Sequence, residues 1–340
     1  MNTRIDTFSA IQKKLAVQRL TALWAFAESG LGGVLHAFQA PFTGLVVGGM
    51  AVMLITLIAF FSQQQLKAIL NSMIVVLIVK AIVSPYTPFP AYIAVSFQAL
   101  VGYALFSLLR INLFSILLLA IIAMLESAVQ KLLILTLFFG QSFWKAADSL
   151  VDFAAKQLGI SLTNGSEWII GIYLFAYLIG GVGIALIAYR TIEDIFSEHE
   201  AMDPLPLHDA SFAVPVKKKY TRLWLMIAVL LVISLLLFLF AGNTQQGWVA
   251  VARTLSWTSA VILLWFLVIS PLFTRLIQRI LKKQRGRYSD EVSDALSFLP
   301  VLRRISSAAW QKSGQYRGWR RLRCFSSMMV NWSLTSVTSN

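Results

Sequence analysis

Charged side chains and cysteines are both scarce in this sequence. Charged residues make up 13% of the 340 residues, which is about half the share found in soluble domains. Hydrophobic residues make up 58% of the chain, and the mean hydropathy is +0.73. A globule surrounded by water cannot bury that much apolar surface, so the composition excludes a soluble domain, a disordered chain and a coiled coil. The single cysteine, Cys324, excludes an intrachain disulfide.

Motifs of catalysis are lacking as well. The sequence has no G-x-x-x-x-G-K-[ST] phosphate loop, no H-E-x-x-H zinc motif, no C-x-x-C pair and no serine in a nucleophile elbow. Acidic and histidine side chains concentrate only at residues 193–209, where Pro204 and Pro206 favour an extended, solvated chain over an ordered metal site. We therefore expect no enzymatic activity, no cofactor and no bound metal.

Long apolar runs, in contrast, are abundant. A membrane-spanning helix needs about 17–25 mostly apolar residues, and eight segments approach that length. They are Leu20–Phe38, Pro41–Phe61, Ile69–Val83, Tyr92–Leu109, Leu113–Phe139, Trp168–Tyr189, Leu223–Ala241 and Leu255–Phe273. The first segment is the weakest because it contains Glu28 and His36, and the third is short. These runs predict an all-α polytopic membrane protein with about eight transmembrane helices.

The positive charge is concentrated at one end of the chain. The formal net charge is +14, and residues 275–340 contain 13 Lys or Arg against 3 Asp or Glu. With eight spans, the more basic loops and both termini fall on one side of the membrane, and the positive-inside rule makes that side the cytoplasm. We therefore expect a multi-pass protein of the cell inner membrane with cytoplasmic N- and C-termini.

Four segments of different composition follow one another. Residues 1–196 hold six predicted spans, 197–221 form a polar linker with prolines, 222–275 hold two more spans, and 276–340 form a basic cytoplasmic tail. Apolar residues at helical spacing after Ser289 and after Gly318 predict two amphipathic helices in the tail. These helices either anchor the tail to the membrane surface or dock on a cytoplasmic partner. We expect no nucleic-acid partner, because no recognised binding fold accompanies the charge.

Polar side chains inside the spans are the candidate ligand-binding residues, because ionisable groups are costly at a helix centre. Glu126 lies near the middle of the fifth span, and Gln130 is one turn later on the same face. Either the two residues face a polar cavity, or Glu126 pairs with Lys80 or a buried hydroxyl and ties helices together. Glu28 and His36 share a face of the first span, which either lines a pocket open to the outside or lies hydrated at the external interface.

A second group of candidates surrounds the external end of the third span. Lys80 either extends its amine outward to the interface or neutralises an acidic ligand. The segment that follows, 84–90, has three prolines, two aromatic residues and no charge, which restricts its backbone. Tyr92 and Gln98 come next, in the fourth span. Together these features suggest a pre-formed external mouth for a small, partly apolar molecule.

The order of these features resembles the substrate-binding (S) component of energy-coupling factor transporters, over residues 1–196. The first helix carries the small-residue stretch Ala22–Ala27, the second begins with Pro41–Gly49, and the fourth begins with Ala91–Gly102 after the 84–90 loop. The resemblance implies that six helices capture a micronutrient from outside. It also implies that Ala22 and Ala25 pack on a coupling subunit and that separate ATPases drive transport.

The C-terminal region distantly resembles the coupling (T) subunit of the same transporters, which also ends in cytoplasmic amphipathic helices. The Ala-Arg-Gly or Ala-Arg-Ser signature of that subunit is absent, and the nearest stretches are Leu302–Ser306 and Arg321–Cys324. The basic residues implied as partner contacts are Arg303, Arg304, Arg320, Arg321 and Arg323. The predicted function is that of a transport protein or transporter subunit for an unidentified small molecule. The alternative is a membrane scaffold or assembly factor that recruits a cytoplasmic partner through its basic tail.

Overall fold

The computed structural model describes residues 9–31, 43–62, 65–84, 87–159, 165–197 and 244–335. Within these ranges the regular secondary structure is entirely helical. The α-helices are α1 (Ala10–Phe26), α2 (Thr43–Phe61), α3 (Lys67–Val83), α4 (Phe89–Leu109), α5 (Leu113–Phe139), α6 (Gln141–Gln157), α7 (Gly165–Ser197), α8 (Thr244–Leu264), α9 (Ser270–Arg285), α10 (Ser289–Lys312) and α11 (Gly318–Thr335). One π-helical turn, Ala27–Leu31, follows α1, and another, Trp265–Ile269, joins α8 to α9.

Four of the described helices contain segments long and apolar enough to cross a membrane. These segments are Gly44–Phe61, Phe89–Leu109, Leu113–Phe139 and Gly165–Glu193. They coincide with the second, fourth, fifth and sixth predicted spans. The prediction of an all-helical protein with apolar helices of membrane length is therefore confirmed for these four spans.

The other four predicted spans have different outcomes. The first is described as helix only as far as Leu31. The third corresponds to α3, whose 17 residues form about 25 Å of helix, which is short for a hydrocarbon core of about 30 Å. The seventh, Leu223–Ala241, lies outside the described residues. The eighth is interrupted by the π-helical turn Trp265–Ile269, and its apolar helix is Val251–Leu264. The total of eight spans stays a prediction.

Helix α1 begins at Ala10, well before the predicted first span, because Ser9 and Gln12 form a capping box. The Ser9 hydroxyl accepts a hydrogen bond from the Gln12 backbone N–H at 3.2 Å, and the Gln12 side-chain oxygen accepts one from the Ser9 N–H at 2.8 Å. Such reciprocal bonds satisfy two of the amides that a helix start leaves unpaired. The first half of α1 is largely exposed, and continuous burial begins only at Leu20.

The described residues form two compact units. Within the described ranges, the first unit comprises 9–124, 179–197 and 277–335, and the second comprises 125–178 and 244–276. In the first unit, α1 packs against α2, α3, α10 and α11. Leu20 and Trp24 of α1 are completely buried there. The core of the first unit thus joins the N-terminal helices to the C-terminal ones.

Helices α10 and α11 are the two amphipathic helices predicted for the tail. Val292, Ala295 and Leu302 are buried on α10, and Met329 and Trp332 are buried on α11. Both helices pack against α1, and α10 also packs against α3. The two helices are therefore confirmed. Much of their apolar surface meets other helices of this chain, whereas Trp310 of α10 and Trp319 and Leu322 of α11 are 49%, 45% and 43% exposed.

Two polar contacts hold these C-terminal helices against the N-terminal ones. The Arg19 guanidinium donates hydrogen bonds to the backbone carbonyls of Ser333, at 3.3 Å, and of Leu334, near the end of α11. A cation at this place also offsets the partial negative charge of the helix C-terminus. The Tyr288 hydroxyl, just before α10, lies 3.0 Å from the Asn71 side-chain oxygen and donates to it. Both α10 and α11 are therefore fixed at specific points.

Glycines of α7 allow close helix contacts within the first unit. A methyl group at Gly181 would lie 3.2 Å from the Cα of Ile121, in the backbone of α5. A methyl group at Gly183 would overlap the Trp319 ring of α11. Small residues permit such approaches between helices in membranes. This part of α7 therefore has room only for glycine where it meets α5 and α11.

The second unit has a smaller core around Phe138 and Phe139 of α5. Phe138 packs on Trp265 with the ring centroids 5.7 Å apart. The Asp148 side chain accepts a hydrogen bond from the Ser166 backbone N–H at 2.6 Å and so caps the start of α7. Large apolar side chains of α5 and α7 remain exposed in this unit, namely Leu133, Leu137, Trp168, Ile172 and Phe175. Such a surface is suited to lipid rather than to water.

Candidate functional site

Glu28 and Lys80 form a buried ion pair, which is the candidate functional site. The Lys80 ammonium lies 2.6 Å from Glu28 Oε2, and the Lys80 and Glu28 side chains are 4% and 6% exposed. The structure thus brings together two of the predicted ligand-binding residues. Lys80 neither extends to an exposed interface nor pairs with Glu126, so both of those interpretations are wrong.

The backbone around Glu28 departs from ordinary α-helix. Glu28 lies in the π-helical turn Ala27–Leu31, and π-helical turns inside helices are frequent at functional sites. The neighbouring Ser29 carbonyl accepts a hydrogen bond from the Ser84 hydroxyl at 3.1 Å. Since Ser84 directly follows α3, this bond ties the π-helical turn to the end of the helix that carries Lys80.

Tyr92 adds an aromatic face to the pair. Lys80 Nζ lies 6.0 Å from the centroid of the Tyr92 ring, at the outer limit of a cation–π contact. Tyr92 is buried near the start of α4. A hydrogen bond of 2.7 Å between the Thr21 and Ser72 hydroxyls also joins α1 to α3. The acid, the base and the ring therefore come from three different segments, and side-chain hydrogen bonds fix the first two segments together.

The two charges stabilise one another only as a pair. Taking each ion out of water costs several kcal/mol, and only close contact with the opposite charge compensates for that cost. At 2.6 Å the pair has that contact. Each charge of the pair is therefore compensated within the chain, and Glu28 is the counter-charge of Lys80 in the structure.

Gln98 is another buried polar group of α4, nearly two turns beyond Tyr92. Its side chain is buried, and its oxygen accepts no hydrogen bond from the described residues. Buried amide oxygens normally have a partner, but the described residues supply none to Gln98. Its predicted role in ligand binding stays a prediction.

Glu126 and Gln130 lie on α5, in the second unit. The Ser127 side chain hydrogen-bonds the Glu126 carboxyl group, whereas Glu126 Oε2 is buried without a partner among the described residues. Gln130 is half-buried. Glu126 therefore forms no ion pair in the described part of the chain, and the predicted polar cavity around it stays a prediction.

His36 lies outside the described residues, as do Pro85 and Tyr86 of the predicted rigid loop. The prediction that Glu28 and His36 line one external pocket can therefore be followed only at Glu28, which is buried. No cluster of three or more His, Cys, Asp or Glu side chains suitable for a metal ion occurs in the described ranges.

Ala22 and Ala25, predicted to pack on a coupling subunit, are 2% and 0% exposed. They lie on α1, which is covered by α2, α3, α10 and α11 of the same chain. Their surface is already occupied, so the prediction that they face a separate subunit is wrong in this structure. The physical reason is that small residues favour any close helix packing, including packing within the chain.

The arginines predicted to contact a cytoplasmic partner differ in their exposure to solvent. Arg303, Arg304 and Arg320 are exposed, and Arg323 is half-buried. The Arg321 guanidinium lies 4.0 Å from the centroid of the Trp310 ring and stacks α11 on α10. The first three residues can meet a partner, whereas Arg321 also serves the internal contact between the two helices.

In comparisons with known proteins, no family model matches this chain, and neither a curated protein nor a solved structure matches it. The resemblance to S components and to the coupling subunit therefore stays a prediction.

Proposed function

We propose that this chain is an integral membrane transport protein, or a subunit of a transporter, that binds a small molecule from the external side of the cell inner membrane. The observation that carries the proposal is the buried Glu28–Lys80 pair with Tyr92 beside it. Ionisable side chains within a membrane protein are costly, and they commonly mark the path of a substrate or an ion.

Lys80 is the residue proposed to hold an acidic group of the ligand. A ligand carboxylate or phosphate that replaces Glu28 keeps the ammonium compensated, and the displaced Glu28 carboxylate must then be protonated or reach water. The Tyr92 ring offers an apolar face to the remainder of the molecule. The proposed ligand is therefore small, acidic and partly apolar.

The proposed arrangement in the membrane follows the resemblance to S components. It has eight transmembrane helices, both termini in the cytoplasm, and separate coupling and ATPase subunits. Four helices of membrane length support a multi-pass protein. The lack of a phosphate loop in the sequence supports an energy source on another chain.

Native mass spectrometry of the full chain, purified gently from its own membrane, tests this proposal. We expect the wild-type protein to carry a small molecule, an ATPase subunit, or both. The double variant Glu28→Gln with Lys80→Gln should lose the small molecule and keep any ATPase subunit. Lys67→Gln is the matched control, because Lys67 is an exposed lysine on the same helix. A wild-type protein that carries neither component contradicts the proposal.

A scaffold function is the second candidate, and the exposure of Arg303, Arg304 and Arg320 favours it. Much of the apolar surface of α10 and α11 is packed on the chain itself, while Trp310, Trp319 and Leu322 stay exposed. A cytoplasmic partner would therefore meet charge together with a few apolar side chains. Reversing these three charges to Glu should then remove cytoplasmic proteins from a pull-down. Under the transport proposal, the same variant should still carry the small molecule.

A further inference from the structure

Helix α9 has an exposed apolar stripe along one side. Leu272, Leu276 and Ile280 are 62%, 48% and 55% exposed. At about 100° per residue, positions separated by four lie within about 40° of one another. The three side chains therefore form one continuous stripe on the helix.

A basic stripe runs beside the apolar one. Residues 275–287 contain six Lys or Arg and no Asp or Glu. Three of these cations, Arg275, Arg279 and Lys282, lie within about 60° of one another beside Leu272 and form the basic stripe. The other three are Lys283, Arg285 and Arg287, and all six are exposed. Within the described residues, none of the six takes part in an ion pair. The positive charge of this segment is therefore uncompensated by the described protein.

The third side of α9 is turned towards protein. Leu281 is buried, and Ile277 and Gln284 are half-buried. Just beyond the helix, Tyr288 is buried and bonded to Asn71. The packed side holds the end of α9 in place, so the apolar and basic stripes cannot simply turn inward.

We propose that α9 lies in a membrane interface and that its basic stripe binds anionic phospholipid headgroups. An exposed apolar stripe beside a dense, unpaired basic stripe fits the boundary between acyl chains and headgroups. Helices α10 and α11 differ from it, because much of their apolar surface is packed on the chain itself. This inference does not depend on whether the Glu28–Lys80 pair binds a solute.

A lipid-competition measurement on the full chain tests the headgroup contact. The protein in mild detergent is mixed with equal amounts of phosphatidylglycerol and phosphatidylethanolamine of identical acyl chains, and bound lipids are counted by native mass spectrometry. We expect the wild-type protein to prefer phosphatidylglycerol. The triple variant Arg275→Gln, Arg279→Gln and Lys282→Gln should lower that preference about tenfold or more, because each basic residue near an anionic surface contributes to binding.

The matched control removes three other exposed cations, by Arg303→Gln, Arg317→Gln and Arg320→Gln. It changes the net charge equally, and the lipid preference should stay as in the wild type. If the control loses the preference as strongly as the α9 variant, net charge alone explains the binding and the proposal fails. A wild-type protein without a preference overturns it as well.

The position of the helix is tested separately by quenching. Ile280→Cys is labelled with a small fluorophore in a Cys324→Ser background, and the protein is placed in nanodiscs that contain brominated lipid. Strong quenching is expected at position 280, and weak quenching is expected at Arg303→Cys in the same background. Equal quenching at the two positions would show that α9 is no closer to the acyl chains than α10, which contradicts the proposal.

Discussion

Glu28 and Glu126 are both carboxylates within apolar helices, but the two compact units hold them differently. In the first unit Glu28 has a lysine 2.6 Å away. In the second unit the Glu126 carboxyl group accepts a hydrogen bond from the Ser127 side chain. Its Oε2 is buried and has no hydrogen-bond partner among the described residues. One carboxylate has its counter-charge within the protein, whereas the described residues supply none to the other.

This difference shows that the burial of an acidic side chain does not by itself indicate a functional site. A paired acid contributes to the fold as long as its partner is present, and removal of the partner leaves a costly charge behind. Removing the charge of an acid that has an unused oxygen should change the free energy of unfolding little. The same contrast applies to packing, since α7 is tightly opposed at Gly181 in the first unit, while a methyl group at Gly171 in the second would have no described atom within 4 Å.

The largest effect is expected from breaking the Glu28–Lys80 pair. Lys80→Met should destabilise the protein by about 3–5 kcal/mol, because it leaves Glu28 buried without a counter-charge. Replacement of both residues, by Glu28→Leu with Lys80→Met, should restore most of the stability. The measurement is thermal unfolding in detergent. Equal losses in the single and double variants would show that the two residues are not coupled.

A smaller effect is expected from filling the tight contact of α7. Gly181→Val should cost about 2 kcal/mol, because the added side chain meets the backbone of α5, which cannot give way cheaply. Gly171→Val on the same helix has open space and should leave the unfolding temperature nearly unchanged. A comparable loss at both glycines would mean that helix propensity, not packing, sets the cost.

The bond between the ends of the chain should contribute less still. Arg19→Gln should destabilise the protein by about 1–2 kcal/mol, because it removes a charged donor from the last carbonyls of α11. Proteolysis near residue 335 should become faster. Lys14→Gln, which changes an exposed lysine of the same helix, should leave both measurements as they are, and an effect as large as that of Arg19→Gln would contradict the assignment.

The smallest change in stability is expected at Glu126. Glu126→Gln should shift the free energy of unfolding by less than about 1 kcal/mol, since no ion-pair partner is lost and the amide oxygen can still accept from Ser127. Thermal unfolding of this variant beside Lys80→Met gives the sharpest form of the comparison. A loss as large as that of Lys80→Met would reveal a partner for Glu126 outside the described residues.

Helix positions could largely be predicted from the sequence where local signals mark both ends. Helix α5 has the predicted bounds, Leu113–Phe139. Before it, the Asn112 side chain accepts a hydrogen bond from the Ser115 N–H at 2.9 Å, and after it Gly140 adopts a positive φ of 64°. Short polar residues and glycine favour these conformations, so both ends can be read from the chain itself.

The partners of the helices could not be predicted in the same way. Hydropathy gives the depth of a residue along its own helix, but it does not say which helices are neighbours. The predicted spans place Glu28 and Lys80 about 12 and 17 Å from their cytoplasmic ends, at 1.5 Å per residue. This similarity of depth was the available signal, yet it did not exclude Glu126 as the partner of Lys80. Likewise, the amphipathic pattern after Ser289 predicts that α10 needs an apolar partner, but not that the partner is α1.

The hydrogen bond from Arg19 to the Ser333 carbonyl of α11 joins residues 314 positions apart. This separation has a consequence for the protein during its synthesis. Helix α1 is among the first parts to leave the ribosome, and α10 and α11 are among the last. At about 5–20 residues per second, the intervening chain takes on the order of 15–60 s to make. Throughout that time the apolar side of α1 around Leu20 and Trp24 has no α10 or α11 to cover it. Until synthesis is complete, this surface of α1 must therefore be covered either by lipid or by a protein that assists membrane insertion.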